Sequence, residues 1–106
     1  MPEANWSASE KKIARRVFET ALQRELSEVM AEFKARAASA KEPEDMWAVQ
    51  SYLAKSQREI ESKYDYRYSQ LVVVFGRLLR EGRLTEDELA GLGEENLSRI
   101  QRVASF

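Results

Sequence analysis

The chain has 106 residues, 43% of them hydrophobic and 33% charged, and a formal net charge of −1. It contains no Cys and no His, which excludes disulfides, thiolate chemistry and Cys-based metal sites and removes the usual general base and the commonest metal ligand. The balanced charge does not give the basic field of a nucleic-acid binder, and no apolar run is long enough to cross a membrane.

Helices dominate the reading. Only 4 Gly and 2 Pro punctuate the chain, too few for an all-β fold. The start, Met1 to Ser9, lacks the apolar segment of a signal peptide, so a cytoplasmic location is expected. Ser7-Ala8-Ser9-Glu10 reads as a capping box, with the hydroxyl and the carboxylate each serving a backbone amide of the first turn. Ile13, Val17, Leu22, Leu26, Val29 and Phe33 then recur at helical spacing. Pro43 ends this helix, and it also suits the first position of the next, where Glu44 and Asp45 complement the dipole. The spacing therefore predicts helices over 7–41 and 43–81. The second carries Met46, Val49, Leu53, Ile60, Tyr64, Tyr68, Leu71, Phe75 and Leu78 on its stripe and stops at Gly82.

Tyr64-Asp65-Tyr66-Arg67-Tyr68 alternates like a strand and Val72-Val73-Val74 is β-branched. With no turn signal before it, the run is read as a continuation of the helix. Thr85-Glu86-Asp87-Glu88 is a second capping box, opening a short helix that Gly91 and Gly93 break. A last helix carries Leu97, Ile100 and Val103. Residues 82–106, with the end of the second helix, form a small head.

Helices of this length span roughly 50–60 Å at about 1.5 Å per residue, so they protrude from any head the remaining residues build. The expected architecture is all-α: an extended two-helix stalk and a helical head in one domain. A second copy docking on the stalk covers its apolar stripes, which predicts a homodimer.

The acidic clusters Glu42/Glu44/Asp45 and Glu86/Asp87/Glu88 sit in first turns, where carboxylates favour the dipole, so they are read as structural and not as metal ligands. Lys11, Lys12, Arg15 and Arg16 are read as a solvated helix face. Trp47, near the far end of the stalk among polar neighbours, is read as an interface anchor. The tyrosine trio is read evenly as stalk-to-head packing or as an aromatic contact surface.

The runs Trp6-Ser7 with Glu10, Gln23-Arg24-Glu25-Leu26, Asp45-Met46-Trp47, Tyr52-Leu53, Glu59-Ile60, Lys63 to Ser69, Val74-Phe75, Glu81-Gly82 and Glu88 to Leu92 resemble, in order and spacing, the fluorescence recovery protein family of cyanobacteria. The Lys-Tyr-Asp-Tyr-Arg-Tyr-Ser block is the most specific part. The resemblance implies a cofactor-free, non-enzymatic, all-α dimer with a helical head. It implies binding to the photoactivated orange carotenoid protein, or a related carotenoid-binding protein, chiefly on the C-terminal domain. The result is faster return to the inactive orange form and the end of photoprotective quenching of phycobilisomes. It places dimer and partner contacts at Trp47, Gln50, Ser51, Leu53, Gln57, Arg58, Tyr64, Tyr66 and Tyr68, and in the head at Val73, Phe75 and Arg99. Four positions depart from the family pattern. Gln50 and Ser51 stand where it usually has His and Asp, Gln57 where it has Arg (Arg58 is adjacent), and Val73 where it often has an aromatic residue. The alternative is a structural or adaptor dimer that kept the scaffold and changed partner.

Overall fold

The computed structural model describes residues 5–106. Its elements are helices α1 (Ala8–Ser39), α2 (Pro43–Lys63), α3 (Leu71–Arg80) and α4 (Glu94–Ala104), with a 3-10 turn at Asp87–Leu89 between the last two. The described residues contain no strand. The molecule measures 54 × 25 × 25 Å with a radius of gyration of 16.8 Å, well above the ~13 Å of a compact chain this long. The elongation comes from the second half of α1 running antiparallel to α2.

The helix ends form as local chemistry dictates. Ser7 accepts from the Glu10 amide at 3.2 Å while the Glu10 carboxylate accepts from the Ser7 amide at 2.9 Å. At Pro43, Asp45 turns its carboxylate back onto the amides of Lys41 and Glu42 at 2.8 and 2.9 Å. α3 closes on Gly82, whose φ of +76° suits the left-handed position that glycine takes without strain. There the Gly82 and Arg83 amides donate to the carbonyls of Leu79 and Leu78, the pattern that satisfies a helix C-terminus.

The second long helix does not run from 43 to 81. It stops at Lys63, and helical structure resumes only at Leu71. No Gly or Pro marks the break; tertiary packing makes it. Tyr64 and Tyr66 both meet Phe18 of α1 edge-on, with ring centroids 5.4 and 4.8 Å apart. The Trp6 indole donates to the Tyr68 carbonyl at 3.2 Å. A few helical hydrogen bonds, each worth about 1 kcal/mol net, are exchanged for tyrosine burial and for aromatic pairs worth about 0.5–1.5 kcal/mol apiece. The exchange favours the break. The alternation that suggested a strand is a short non-helical run with no ladder partner, in which Asp65 and Arg67 pair with each other at 2.9 Å.

The head is correspondingly larger than residues 82–106 and the end of one helix. Its core comprises Trp6, Ala14, Val17, Phe18 and Ala21 from the start of the chain, Leu71, Val74, Phe75 and Leu78 from α3, and Leu84, Leu89, Leu92 and Ile100 beyond it. The first half of α1 is thus head. Gly76 lets α3 and α4 cross closely, since a Cβ there would collide with the Val103 side chain.

Candidate functional site

Past Glu25, α1 leaves the core, and its apolar residues lose their cover. Leu26, Met30 and Phe33 follow one another at helical spacing and are exposed, as are Met46 and Trp47 on α2. Leu26, Val29, Leu53 and Ile60 line a groove between the two helices, and Met30 and Phe33 extend it along α1. The contiguous run along α1 and its groove is more than scattered surface hydrophobics.

Trp47 is 63% exposed near the free end of the stalk. Gln50 and Ser51, the next turn on, are fully at the surface, and Leu53 is half-buried in the groove. Gln57 lines the same groove, donating to Glu61 at 3.0 Å, while Arg58 beside it is exposed. These residues share the stalk and lie away from the tyrosines.

The tyrosines divide. Tyr64 and Tyr66 are half-buried packing residues of the head, whereas Tyr68 remains 37% exposed. Tyr64 and Tyr68 do not share a helical face, because neither lies in a helix. The Tyr64 hydroxyl donates to Glu25 at 2.9 Å and to the Ala21 carbonyl at 3.1 Å. Burial, and then the Glu25 carboxylate, push its ionisation well above that of a free tyrosine. Of the three head positions, Val73 is open at 54% and Arg99 is half-buried, its guanidinium held by Glu95 at 3.0 Å. Phe75 is corrected from a contact residue to a core residue: it is fully buried, edge-on to Trp6 at 6.2 Å.

One constellation escaped the sequence reading. Where α2 meets the head, the buried Lys63 ammonium donates to Glu25 at 2.8 Å and to Glu81 at 2.9 Å. Arg83 adds contacts to Glu25, Glu28 and Glu81. Burial alone would raise the Glu81 carboxyl, but hydrogen bonds from Lys63, Arg77 and Arg83 outweigh it and hold the group down at about 2. This network joins α1, α2 and the end of α3 where stalk and head meet. The available signal was Lys63, the last residue before the tyrosine run, and Glu25, one residue before Leu26 on an otherwise apolar edge. Their pairing across 38 residues had no local trace.

Both acidic clusters have structural partners. Asp45 caps α2, and Glu88 receives the Arg24 guanidinium and the Thr85 amide. Among the described residues no group of three or more acidic side chains converges as a metal site would require, and no helix is long and apolar enough to cross a membrane.

A family model described as photoprotection regulator fluorescence recovery protein matches residues 6–104. The fluorescence recovery protein of a Synechocystis species is 36% identical over 102 residues, covering 96% of this chain and 94% of that one. The solved structure of the Fremyella diplosiphon fluorescence recovery protein superposes with a TM-score of 0.91 at 35% identity, over 96% of this chain and all of that one. The Synechocystis structure superposes equally well at 34% identity, with the same coverage of both chains.

Proposed function

The chain belongs to the fluorescence recovery protein family of photoprotection regulators, and from that premise we propose that it acts as a stalk-joined homodimer on the photoactivated orange carotenoid protein. The observation that carries this reading is the uncovered apolar surface of the stalk, with Leu26, Met30, Phe33, Met46 and Trp47 all exposed. Two copies related by a two-fold axis bury the same patch on each other, and the two heads, with the polar rim of the stalk at Gln50 and Ser51, then stand free for the partner.

Regulation by such a molecule is a binding effect. Recovery of the orange form accelerates when the regulator binds the transition toward the compact state more tightly than it binds the open state. A tenfold acceleration needs only about 1.4 kcal/mol of such preference. Contact with the carotenoid protein's C-terminal domain, on the side that must re-close, supplies a preference of that size through one or two charged hydrogen bonds, at about 1.5–3 kcal/mol each.

The test times the red-to-orange decay of light-activated orange carotenoid protein at a fixed ratio of this protein. The native chain accelerates the decay. The Gln50→His, Ser51→Asp double substitution accelerates it further, because a carboxylate beside Trp47 restores a charged contact, while dimer mass is unchanged. No acceleration by either protein, with an intact dimer, rejects the carotenoid-protein partner and leaves a helical adaptor for a different protein.

A further inference from the structure

The cations at the start of α1 serve neither the core nor the stalk groove. Lys11, Lys12, Arg15 and Arg16 are all exposed; Lys12 and Arg16 lie on the side of α1 away from buried Ala14 and Val17, while Lys11 and Arg15 border the core edge next to Phe18. Two of the four are held in place. The Arg15 guanidinium lies 4.0 Å from the centre of the Tyr66 ring, and the Lys11 ammonium 4.9 Å from that of Tyr68. Arg15 has a loose contact with Glu19 at 3.8 Å, both side chains being more than half exposed, and such a pair contributes little. Among the described residues, Lys11, Lys12 and Arg16 have no carboxylate partner. From Lys12 and Arg16 the face continues as a shallow groove past Thr20, Gln23 and Ser27.

We infer that this tyrosine-backed basic ridge docks an acidic patch on the surface of a protein partner, with the open edge of Tyr68 as the aromatic contact beside it. Stacking restricts Lys11 and Arg15 before any partner arrives, so less side-chain entropy is lost when a carboxylate binds. Three other occupants fit less well. A membrane would need the apolar face of α1 to insert, and that face is already the core of the head. A nucleic acid would meet the acidic start of α4 as well. The Gly93 amide donates to Glu10 at 2.7 Å, which brings Glu94 and Glu95 up to the first turn of α1, and the whole chain is net negative at −1. A second copy using its own Glu86, Asp87, Glu94 and Glu95 would make a head-to-tail contact that need not close, and molecules already paired through the stalk would grow into open assemblies.

The inference rests on the carotenoid-protein reading above, and the test separates the two. The association rate with photoactivated orange carotenoid protein is measured against salt for the native chain and for Lys12→Glu with Arg16→Glu. Lys11 and Arg15 stay in place so that the aromatic stacking survives. The double reversal slows association about tenfold or more at low salt and flattens its salt dependence, with helicity and dimer mass unchanged. Lys12→Gln with Arg16→Gln lies between. The ridge is overturned if the native chain binds and the reversal does not slow it. It is also overturned if a charge-matched control, Lys41→Glu with Arg102→Glu, slows association equally. Equally tight binding of duplex DNA or phosphatidylglycerol vesicles by the native chain at roughly 0.15 M salt overturns it too, as does growth of the native dimer into larger species that the reversal abolishes. If the native chain itself does not bind the carotenoid protein, the functional reading fails, and the ridge assignment falls with it before any variant is compared.

Discussion

The head and the stalk solve the same problem in opposite ways. In the head, five segments converge on thirteen buried apolar residues, and its large side chains are satisfied within one chain. In the stalk, two helices lie side by side with their apolar stripes open, and Ile60, at the base, is the one buried apolar residue of α2. Two antiparallel rods enclose no interior, so whatever apolar surface they carry is either wasted or kept for another molecule. The comparison teaches where substitutions act: in the head they change the fold, and in the stalk they change what the molecule holds on to.

The largest effect is expected where the head is fullest. Phe75→Ala removes a completely buried ring and costs about 3–5 kcal/mol of stability, read as a fall in the thermal midpoint. A loss under about 1 kcal/mol would show that the head is not the folding core. Next comes the junction. Lys63→Met removes the buried cation between Glu25 and Glu81, which keep only the Arg83 and Arg77 cations, and losing that charged hydrogen-bond donor costs about 1.5–3 kcal/mol. It also changes the response to acid. The Glu81 carboxyl titrates at about 2 when folded and near 4.5 ordinarily. Its contribution is therefore complete above 4.5 and is lost as pH falls toward the folded value. Denaturation curves at stepped pH should show the native chain losing stability across that window and the Lys63→Met chain losing distinctly less.

Stalk substitutions should shift those curves only through the dimer, so that the shift vanishes at protein concentrations where the native chain is already monomeric. Trp47→Ala weakens the dimer by about 2 kcal/mol, the scale of an interface hot spot. It shows as a shift of the monomer–dimer equilibrium in sedimentation, with helicity retained. A dimer of unchanged mass that still binds its partner normally would make Trp47 a bystander. The smallest change goes the other way. Gln57 lines the groove among Leu26, Val29, Leu53 and Ile60, and Gln57→Leu exchanges a polar head for apolar contact there. It should tighten the dimer by roughly 1 kcal/mol, about one buried methylene, while the thermal midpoint of the isolated fold stays put. If it loosens the dimer instead, that groove is not the joint.

The contrast extends to how each region reads in sequence. The exposure of Trp47 was legible because its neighbours one turn away, Glu44, Gln50 and Ser51, are polar and a helix that outruns its core offers nowhere to bury it. The groove residues Leu26, Val29 and Leu53 were legible as a stripe. Phe75 was not separable from them, because an apolar residue at helical spacing reads the same whether a core or a partner covers it. The Lys11 to Arg16 face was visible as a cluster of charge, but its tyrosine backing was not. Tyr66 and Tyr68 lie some fifty residues away and reach Arg15 and Lys11 only once the chain has turned.

By itself the sequence determined what is local: all-helical structure from period and sparse punctuation, the capping boxes at Ser7 and Thr85, the turn at Pro43, and Gly82 at the end of α3. It also determined the family, through blocks matched in order along nearly the whole chain. Tertiary structure alone decided the break between Lys63 and Leu71, the recruitment of α1 into the head and the Lys63–Glu25–Glu81 junction. Each depends on contacts between residues far apart in the chain. Phe18 offers Tyr64 and Tyr66 a better environment than helix continuation would, and no spacing rule within the 64–70 run encodes the presence of Phe18.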